Sequence, residues 1–289
     1  MTRLALGTVQ FGLPYGVANQ GSQVGLAEAE VMLALALAND LNMLDTAIAY
    51  GDSETCLGEV GIHGFKVVTK LPSVPDLCRD IDAWVAEQVD ASFLRLGVTE
   101  VYGLLLHRPE QLLGPNGAAL YQSLLDLKDS GRVQKIGVSI YSPSELDVLS
   151  PRYRFDLVQA PFNLVDQRLY CSGWLQRLKD GDVEIHTRSA FLQGLLLMTQ
   201  ADIPKKFLPW ANIWHVWHSW LIAHDISAVQ TALAFALSFP EIDRVIVGAD
   251  SVIQLSQIIS ATKSTNGIPL PALQCDDANL INPANWNQL

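Results

Sequence analysis

The chain is short of positive charge. Its 289 residues include 19 Lys and Arg against 30 Asp and Glu, which gives a formal net charge of −11. A nucleic-acid-binding surface normally presents a basic stripe, and the acidic face of a membrane attracts clustered Lys and Arg. No such cluster occurs along the sequence, so we expect neither nucleic acid nor a membrane as a partner.

Cysteine is scarce and scattered. The four cysteines, Cys56, Cys78, Cys171 and Cys275, are far apart and form no CxxC pair. This spacing favours free thiols in a reducing cytosol over a disulfide framework or a zinc site. We therefore predict a cytoplasmic protein without a bound metal.

Long apolar runs are missing as well. No run reaches the length of about 18 residues that a membrane-spanning helix needs, and the amino terminus lacks the apolar core of a signal peptide. The residues present are 49% hydrophobic and 17% charged. That composition is typical of a compact globular protein and not of a disordered chain.

Eight short apolar runs alternate with longer amphipathic stretches. Most of the runs are continuous and not alternating, which is typical of parallel strands covered on both faces. The predicted strands are Leu4–Val9, Met43–Ala47, Lys66–Leu71, Val101–His107, Lys135–Ile140, Leu157–Phe162, Val183–Ser189 and Val245–Gly248. The clearest predicted helices are Gly25–Asp40, Asp76–Gly97, Leu120–Ser130, Ala228–Ser238 and Ser251–Ala261, with a short one opening at Pro143 and Ser144.

Eight strand–helix units predict an α/β fold of the (β/α)8 TIM-barrel type, with residues 1–289 as one domain. An open doubly wound sheet is the alternative, but it would usually show GxGxxG after the first strand, where this chain has GTVQFG. Four tryptophans between Gln200 and Ile226 predict a long loop and the start of a helix, forming either a packed surface layer or a pocket wall. Residues from about 265 to 289 are expected to form an irregular tail, with Trp286 as its anchor.

Functional groups of such a barrel gather at the carboxyl ends of its strands. Asp45 ends the second strand, Tyr50 lies in the following loop, and Lys70 and His107 end the next two strands. Each residue alone is more often structural, so the weight of the pattern comes from four of them at successive strand ends. An acid in an apolar run needs a partner, and Lys70 is the partner expected for Asp45. A lysine ammonium near Tyr50 would lower its phenol pKa toward neutrality, and His107 could bond a substrate carbonyl.

Eight sequence motifs resemble those of the aldo-keto reductases, in the same order along the chain. They are ALGTVQFG (5–12), LDTAIAYGDSETCLGE (44–59), VVTK (67–70), LLLHRP (104–109), GRVQKIGVS (131–139), LVQAPFN (157–163), SAFLQGLL (189–196) and VIVGA (245–249). The resemblance implies an NAD(P)H cofactor whose hydride passes to a carbonyl carbon. It also implies Tyr50 as proton donor, Asp45 and Lys70 as its modulators and His107 as the group that orients the carbonyl.

The resemblance also implies a set of cofactor-binding residues. Ser139 and Gln159 would hold the nicotinamide carboxamide, although Ile140 replaces the asparagine common in the family. Arg188 stands where a planar side chain stacks on the nicotinamide. The remaining expected contacts are Gly7, Thr8, Val9, Asp45, Ser189, Phe191, Gln193, Gly194, Leu195, Gly248, Ala249, Asp250, Gln254 and Gln257.

The segment after the eighth strand departs from the pattern of NADPH-dependent relatives. Val247–Ile258 contains no Lys or Arg to pair with a 2′-phosphate, and Asp250 stands near the expected position. An acid there can accept bonds from a free ribose hydroxyl. The segment therefore favours NADH over NADPH, or tolerance of both, although Ser251, Gln254 or a reoriented Arg244 could still bind a phosphate weakly.

The substrate is expected to be a small carbonyl compound or sugar. The residues expected to form its pocket are Val9, Tyr15, Tyr50, His107, Arg108 and Asn163, with the tryptophans as further candidate walls. Two other functions stay open: a non-catalytic, cofactor-binding regulatory subunit, and a Schiff-base aldolase that uses Lys70. The protein is expected to be a monomer or a small homo-oligomer.

Overall fold

Eight parallel strands form a closed barrel in the computed structural model, which describes residues 2–17, 23–263, 267 and 269–289. Each strand pairs with its neighbours in chain order, and the pairing of Ala5 with Ile246 closes the ring between the first and eighth strands. The strands are β1 Leu4–Gly7, β2 Met43–Asp45, β3 Lys66–Leu71, β4 Val101–Leu106, β5 Val133–Ser139, β6 Leu157–Pro161, β7 Glu184–Arg188 and β8 Arg244–Gly248. The predicted barrel and all eight predicted strands are confirmed.

Helices surround the barrel. They are α1 Leu26–Ala38, α2 Ser53–Val60, α3 Ile81–Leu96, α4 Gly117–Asp129, α5 Ser144–Leu149, α6 Arg168–Cys171, α7 Trp174–Asp180, α8 Ala211–His224, α9 Ala228–Leu237, α10 Val252–Thr262 and α11 Ala278–Ile281. Short 3₁₀ helices occupy Val9–Phe11, Pro109–Leu113, Leu192–Leu197, Lys205–Trp210 and Pro283–Gln288. Within the described ranges no single helix is long and apolar enough to cross a membrane. The pair Lys205–His224 and Ala228–Leu237, bent by 99°, meets the length and composition criteria only when joined.

Local capping explains where the predicted helices begin and end. Helix α3 starts later than predicted because the Asp80 carboxylate accepts a bond from the Ala83 N–H and so caps the first turn. It ends at Gly97, whose φ of 67° is the left-handed conformation that glycine adopts at low cost. Helix α9 opens with a reciprocal capping box between Ser227 and Gln230.

Two apolar cores lie on either side of the strands. The smaller one fills the barrel interior and is made of Ala5, Met43, Val68, Leu105, Leu157 and Ile246. The larger one lies between the strands and the surrounding helices. Because side chains alternate across a strand, six of the strands contribute to both cores, whereas β5 and β7 contribute only to the larger one.

The tryptophan-rich segment forms a packed layer. Trp214 and Trp217 are buried, and their indole N–H groups donate to the carbonyl oxygens of Phe207 and Leu196 at 3.0 Å each. The segment contains the whole of α8 and not only the start of a helix. Of the two interpretations left open by the sequence, the packed layer is confirmed.

The carboxyl-terminal tail is more regular than predicted. Helix α11 and the 3₁₀ helix after it account for ten of its residues, whereas positions 264–266 and 268 lie outside the described residues. Trp286 is 3% exposed, packs against Phe207 and donates its N–H to the Leu280 carbonyl. The anchoring role predicted for Trp286 is therefore confirmed.

The buried carboxylate of Glu54 joins α2, β3 and α3 close to the loop that carries Tyr50. Glu54 in α2 is 1% exposed and accepts bonds from Thr69 of β3 and Ser92 of α3, each at 2.7 Å. Its second oxygen accepts from Nε and a terminal nitrogen of Arg95 at 3.0 and 2.7 Å. Thr69 precedes Lys70, so Glu54 fixes the loop that carries Tyr50 to the strand that carries Lys70.

We expect Glu54→Gln to lower the free energy of unfolding by about 2–3 kcal/mol. Removing one member of a buried ion pair costs about 3–5 kcal/mol, and Arg95 recovers part of this because it is partly exposed. Urea denaturation followed by circular dichroism measures the change. The control is Glu59→Gln on the exposed face of the same helix, with an expected effect below about 0.5 kcal/mol. Equal losses in both variants would contradict the structural role of Glu54.

Candidate active site

Five polar side chains lie at the carboxyl end of the barrel. They are Asp45 at the end of β2, Lys70 near the end of β3, His107 directly after β4, Ser139 at the end of β5 and Arg188 at the end of β7. A cavity of about 630 Å³ opens at this end. The strands place these residues together because all eight run in the same direction.

Asp45 and Lys70 form a buried ion pair. The Lys70 Nζ donates to Asp45 Oδ1 and Oδ2 at 2.9 and 2.8 Å and to the Thr46 carbonyl oxygen at 2.8 Å. Lys70 is completely buried. Burial lowers the pKa of its ammonium, and the charge and hydrogen bonds of Asp45 oppose that shift. The pairing expected from the sequence is confirmed.

Gln159 extends this buried network across the barrel. Its Nε2 donates to Asp45 Oδ1 at 2.6 Å, and its Oε1 accepts from the Ser139 hydroxyl at 3.2 Å. Gln159 is fully buried and does not line the cavity. Ser139 does line the cavity, and the predicted contact of Gln159 with a cofactor stays a prediction.

Tyr50 is held close to the ion pair by a tight backbone contact. A Cβ at Gly12 would lie 1.7 Å from the Tyr50 carbonyl oxygen, so no larger residue fits there without moving the loop. The Lys70 Nζ lies 5.0 Å from the centre of the Tyr50 ring, and the His107 ring meets it edge-on at 5.8 Å between centroids. Tyr50 and His107 both line the cavity.

The pKa of Tyr50 is raised, contrary to the expectation from the sequence. Burial is the largest cause, the negative charge of Asp45 adds to it, and the positive charge of Arg188 acts in the opposite direction. Lys70 is not among the causes of this shift, so the lowering predicted from its charge is not seen. The phenol of Tyr50 therefore keeps its proton at neutral pH.

The imidazole of His107 is neutral at neutral pH. Burial, followed by the positive charges of Lys70 and Arg188, lowers its pKa to about 4. A neutral ring has one N–H donor and one acceptor nitrogen. His107 can therefore donate a hydrogen bond to a carbonyl oxygen in the cavity.

Arg188 projects from β7 toward the end of β5. One terminal nitrogen donates to the Ile140 carbonyl at 3.1 Å, and the guanidinium carbon lies 4.8 Å from the centre of the Tyr141 ring. Both Arg188 and Tyr141 line the cavity. The guanidinium carbon of Arg108 lies 5.6 Å from the centre of the same ring. Arg108 is exposed and is not among the residues that line the cavity, where the sequence predicted it.

The loop after β7 approaches the loop after β1. Gln193 donates its side-chain amide to the Tyr15 hydroxyl at 3.0 Å, and its carbonyl accepts from the Val17 N–H at 3.0 Å. Ser189, Leu192 and Gln193 all have positive φ, between 47° and 64°. Such conformations are costly for residues other than glycine and concentrate at functional sites. The two loops together form one wall of the cavity.

Most of the predicted contact residues line the cavity. They are Gly7, Thr8, Val9, Tyr15, Asp45, Tyr50, His107, Ser139, Arg188, Ser189, Phe191, Gln193, Gly194, Gly248, Asp250, Gln254 and Gln257. Leu195 and Ala249 are instead buried in the core. Asn163 is also buried: it donates to the Ser189 carbonyl and accepts from the backbone, so its polar atoms support the β7 loop and not a substrate. The tryptophans do not line the cavity.

The cavity is also lined by residues that were not predicted from the sequence. They are Gln10, Gly16, Tyr141, Ala190, Leu197, Val229, Ile246, Ile258, Pro283 and Ala284. Tyr141 directly follows the predicted end of β5, so the rule that functional residues lie at strand ends could have identified it. Pro283 and Ala284 come from the tail, and nothing in their local sequence indicates that they reach the cavity.

The far end of the cavity lies at the start of α10. Ser251 caps this helix by accepting from the Gln254 N–H at 3.2 Å, and Gln254 Oε1 accepts from the Asp250 N–H at 2.8 Å. Arg244 lies at the opposite end of β8, where it donates to the Thr2 carbonyl at 2.9 Å. It is therefore too distant to serve the phosphate-binding role considered for it.

These features define a (β/α)8 barrel with a buried ion pair, a tyrosine and a neutral histidine at the mouth of one elongated cavity. A model of the aldo/keto reductase family matches residues 3–266, and the chain belongs to this family. Members of the family generally carry out NAD(P)-dependent oxidoreduction of carbonyl compounds.

Individual relatives are more distant. Aldo-keto reductases from Mycobacterium sp. strains KMS and JLS are each 33% identical over 155 residues, or 48% of this chain. The match spans about half the length of these curated relatives, 54% in each case.

Two solved structures share the fold. PA4992 from Pseudomonas aeruginosa has a TM-score of 0.68 at 22% identity, covering 91% of this chain and 90% of its own. The aldo-keto reductase AKR11C1 from Bacillus halodurans, in its holo form, has a TM-score of 0.73 at 19% identity, covering 93% and 88%.

The low pKa of His107 predicts a specific loss of stability in acid. In the unfolded chain its pKa is about 6.5, so between pH 6.5 and about 4 the unfolded state binds the proton more readily. Stability is thus unaffected above pH 6.5 and falls as the pH drops toward 4. Between pH 7.5 and 5 we expect the wild type to lose about 1 kcal/mol more than His107→Gln, measured by urea denaturation. The control is His63→Gln in an exposed loop, and a His107 ring that titrates near pH 6.5 by NMR would contradict the assignment.

Proposed function

We propose that the chain transfers a hydride between a nicotinamide cofactor and the carbonyl of an aldehyde, ketone or sugar-like substrate, with Tyr50 as the proton donor. The observation that supports this most directly is the position of Tyr50 and His107 on the same cavity wall, beside the buried Asp45–Lys70 pair. When bound, the cofactor supplies the hydride chemistry, and the protein supplies position and electrostatics.

Each residue has a distinct proposed role. Tyr50 retains its proton because its pKa is raised, and it donates that proton to the carbonyl oxygen as the oxygen becomes negative. The Asp45–Lys70 pair, whose ammonium lies 5.0 Å from the Tyr50 ring centre, is proposed to position the tyrosine. The positive charge of Arg188 acts to lower the Tyr50 pKa and so favours the phenolate that remains. The neutral ring of His107 donates a hydrogen bond to the same carbonyl oxygen and orients it.

Asp45 holds Lys70 in place and completes the proposed catalytic set. Its carboxylate accepts two bonds from Lys70 and one from Gln159, so the lysine has a single position. Preorganised charge of this kind costs no reorganisation during the reaction. Gln159 is proposed to support Asp45, and Ser139, which faces the cavity, is proposed to contact the carboxamide.

The cavity fits an extended dinucleotide. Its lining includes Tyr50 and His107 together with Asp250, Gln254 and Gln257 at the start of α10, whose dipole favours an anionic or polar ligand. A Cβ at Gly248 would lie 2.5 Å from the amide end of the Gln10 side chain, so a larger residue there would displace that amide within the cavity lining. The loop of Ser189 and Gln193 is proposed to contact the pyrophosphate.

NADH is the proposed preferred cofactor. Val247–Ile258 has no basic residue, Asp250 lines the far end of the cavity, and Arg244 is bonded to the Thr2 carbonyl at the other end of β8. A 2′-phosphate would meet no cation in this segment. A free ribose hydroxyl, in contrast, can donate to Asp250 or Gln254.

The Schiff-base alternative is not supported by the geometry. A lysine nucleophile needs a neutral amine with access to the substrate. Lys70 is completely buried, and all three of its ammonium N–H groups are donated within the protein.

The aromatic and polar lining of the cavity, with Tyr15 and Tyr141 near Arg188, suits a hydroxylated carbonyl substrate.

Tyr50→Phe tests the proton donor. The variant should bind NADH like the wild type but lose about 10²- to 10⁴-fold in kcat for a panel of aldehydes and sugars, because only the proton transfer is removed. Nicotinamide absorbance measures turnover, and fluorescence titration measures binding. Tyr170→Phe, at a 55% exposed position, is the control. Equal turnover in Tyr50→Phe and wild type would refute the role of Tyr50, whereas cofactor binding without turnover on any carbonyl would favour the regulatory subunit.

The cofactor preference predicts a difference in dissociation constants. We expect NADH to bind more tightly than NADPH in fluorescence titrations under identical salt, since the phosphate carries charge to an acidic surface. A tenfold difference corresponds to about 1.4 kcal/mol. Tighter binding of NADPH by tenfold or more would show that the interpretation of Asp250 is wrong.

A further inference from the structure

An acid from the first helix reaches the start of the last barrel helix. Glu28 in α1 accepts a hydrogen bond from the Val252 N–H at 2.6 Å, across 224 positions of sequence. Val252 is the first residue of α10. Glu28 is half-buried there, whereas Glu30, on the same helix, is exposed.

Three N–H groups around the start of α10 have acceptors within the protein. The Val252 N–H donates to Glu28, the Asp250 N–H donates to Gln254, and the Gln254 N–H donates to Ser251. The free N–H groups of a helix start, together with its dipole, normally attract phosphate. Here the Glu28 carboxylate accepts the hydrogen bond of the Val252 N–H, the first of these groups.

This helix start lies beside the cavity. Asp250, Gln254 and Gln257 line the cavity that Tyr50 and His107 also line, and Val252 lies between the first two of them in the chain, behind the lining. If the nicotinamide lies beside Tyr50, as proposed above, the adenosine half of the dinucleotide lies toward the start of α10. A 2′-phosphate on that adenosine would compete with Glu28 for the Val252 N–H and would be repelled by its charge.

We propose that Glu28 is a specificity-determining residue that excludes the 2′-phosphate of NADPH from the start of α10. The inference rests on the proposed nicotinamide-dependent function and extends it to a residue in α1. It rests on the charge of Glu28 and on its hydrogen bond to the Val252 N–H, and it does not depend on the charge or the contacts of Asp250. Glu28 also joins α1 to α10, so the test has to separate its charge from its hydrogen bond.

The variants Glu28→Gln and Glu28→Ala make that separation. Glutamine keeps an acceptor oxygen for the Val252 N–H and removes only the charge, whereas alanine also frees the N–H for a phosphate. Glu30→Gln removes the same charge from an exposed position of the same helix and is the matched control. Thermal unfolding of each variant establishes that it is folded.

Calorimetric titration of the full chain provides the readout. The ligands are NADH, NADPH and two probes without nicotinamide, AMP and adenosine 2′,5′-bisphosphate. In Glu28→Gln we expect NADPH and the bisphosphate to bind about fivefold more tightly, with a larger gain in Glu28→Ala. NADH and AMP should change less than about twofold, and Glu30→Gln should resemble the wild type. The gain should shrink from about 50 to about 500 mM NaCl, because salt screens the charge.

Three outcomes would overturn the inference. One is an equal gain for AMP and the bisphosphate in Glu28→Gln, which would mean a general effect on anions. Another is equal behaviour of Glu28→Gln and Glu30→Gln toward the bisphosphate. The third is the absence of binding of both NADH and NADPH to the wild type, which would refute the proposed function itself. The first two outcomes, when the wild type still binds NADH, would overturn the role of Glu28 alone.

Discussion

The ion pair between Asp45 and Lys70 is the interaction on which the rest of the site depends. Two charges inside a barrel carry a large desolvation cost, which only good geometry and further hydrogen bonds offset. Asp45 accepts from Lys70 and Gln159, and Lys70 donates its third N–H to the Thr46 carbonyl. The pair thereby joins β2, β3 and β6, and it sets the charge beside Tyr50.

Burial outweighs charge at this site. The pKa of Tyr50 is raised and the pKa of His107 is lowered, and burial is the leading cause in both cases. Both shifts favour the neutral form, so Tyr50 and His107 are neutral hydrogen-bond donors beside the ion pair of Asp45 and Lys70. This is the combination that a proton donor to a carbonyl oxygen requires, since the charge develops only during the reaction.

The two ends of the cavity have different surroundings. Near Tyr50 and His107, the positive charges of Lys70 and Arg188 act on His107, the charges of Asp45 and Arg188 act in opposite directions on Tyr50, and Glu54 fixes the loop of Tyr50 to β3. At the far end, Glu28 meets the first N–H of α10. Acidic residues from α1 and from the segment after β8 thus lie close to the start of α10. The fold brings them together although α1 and α10 are distant in the chain.

The sequence by itself determined the barrel, since eight continuous apolar runs with helices between them have few other compact arrangements. It also determined the Asp45–Lys70 pair, because an acid at one strand end and a lysine at the next must meet when the strands are parallel. Only the tertiary structure decided the direction of the Tyr50 pKa shift, the buried position of Gln159 and Asn163, and the cavity contacts of Pro283 and Ala284. The reason is physical, because burial and long-range contacts depend on how distant segments pack together. A local pattern of residues contains no information about that packing.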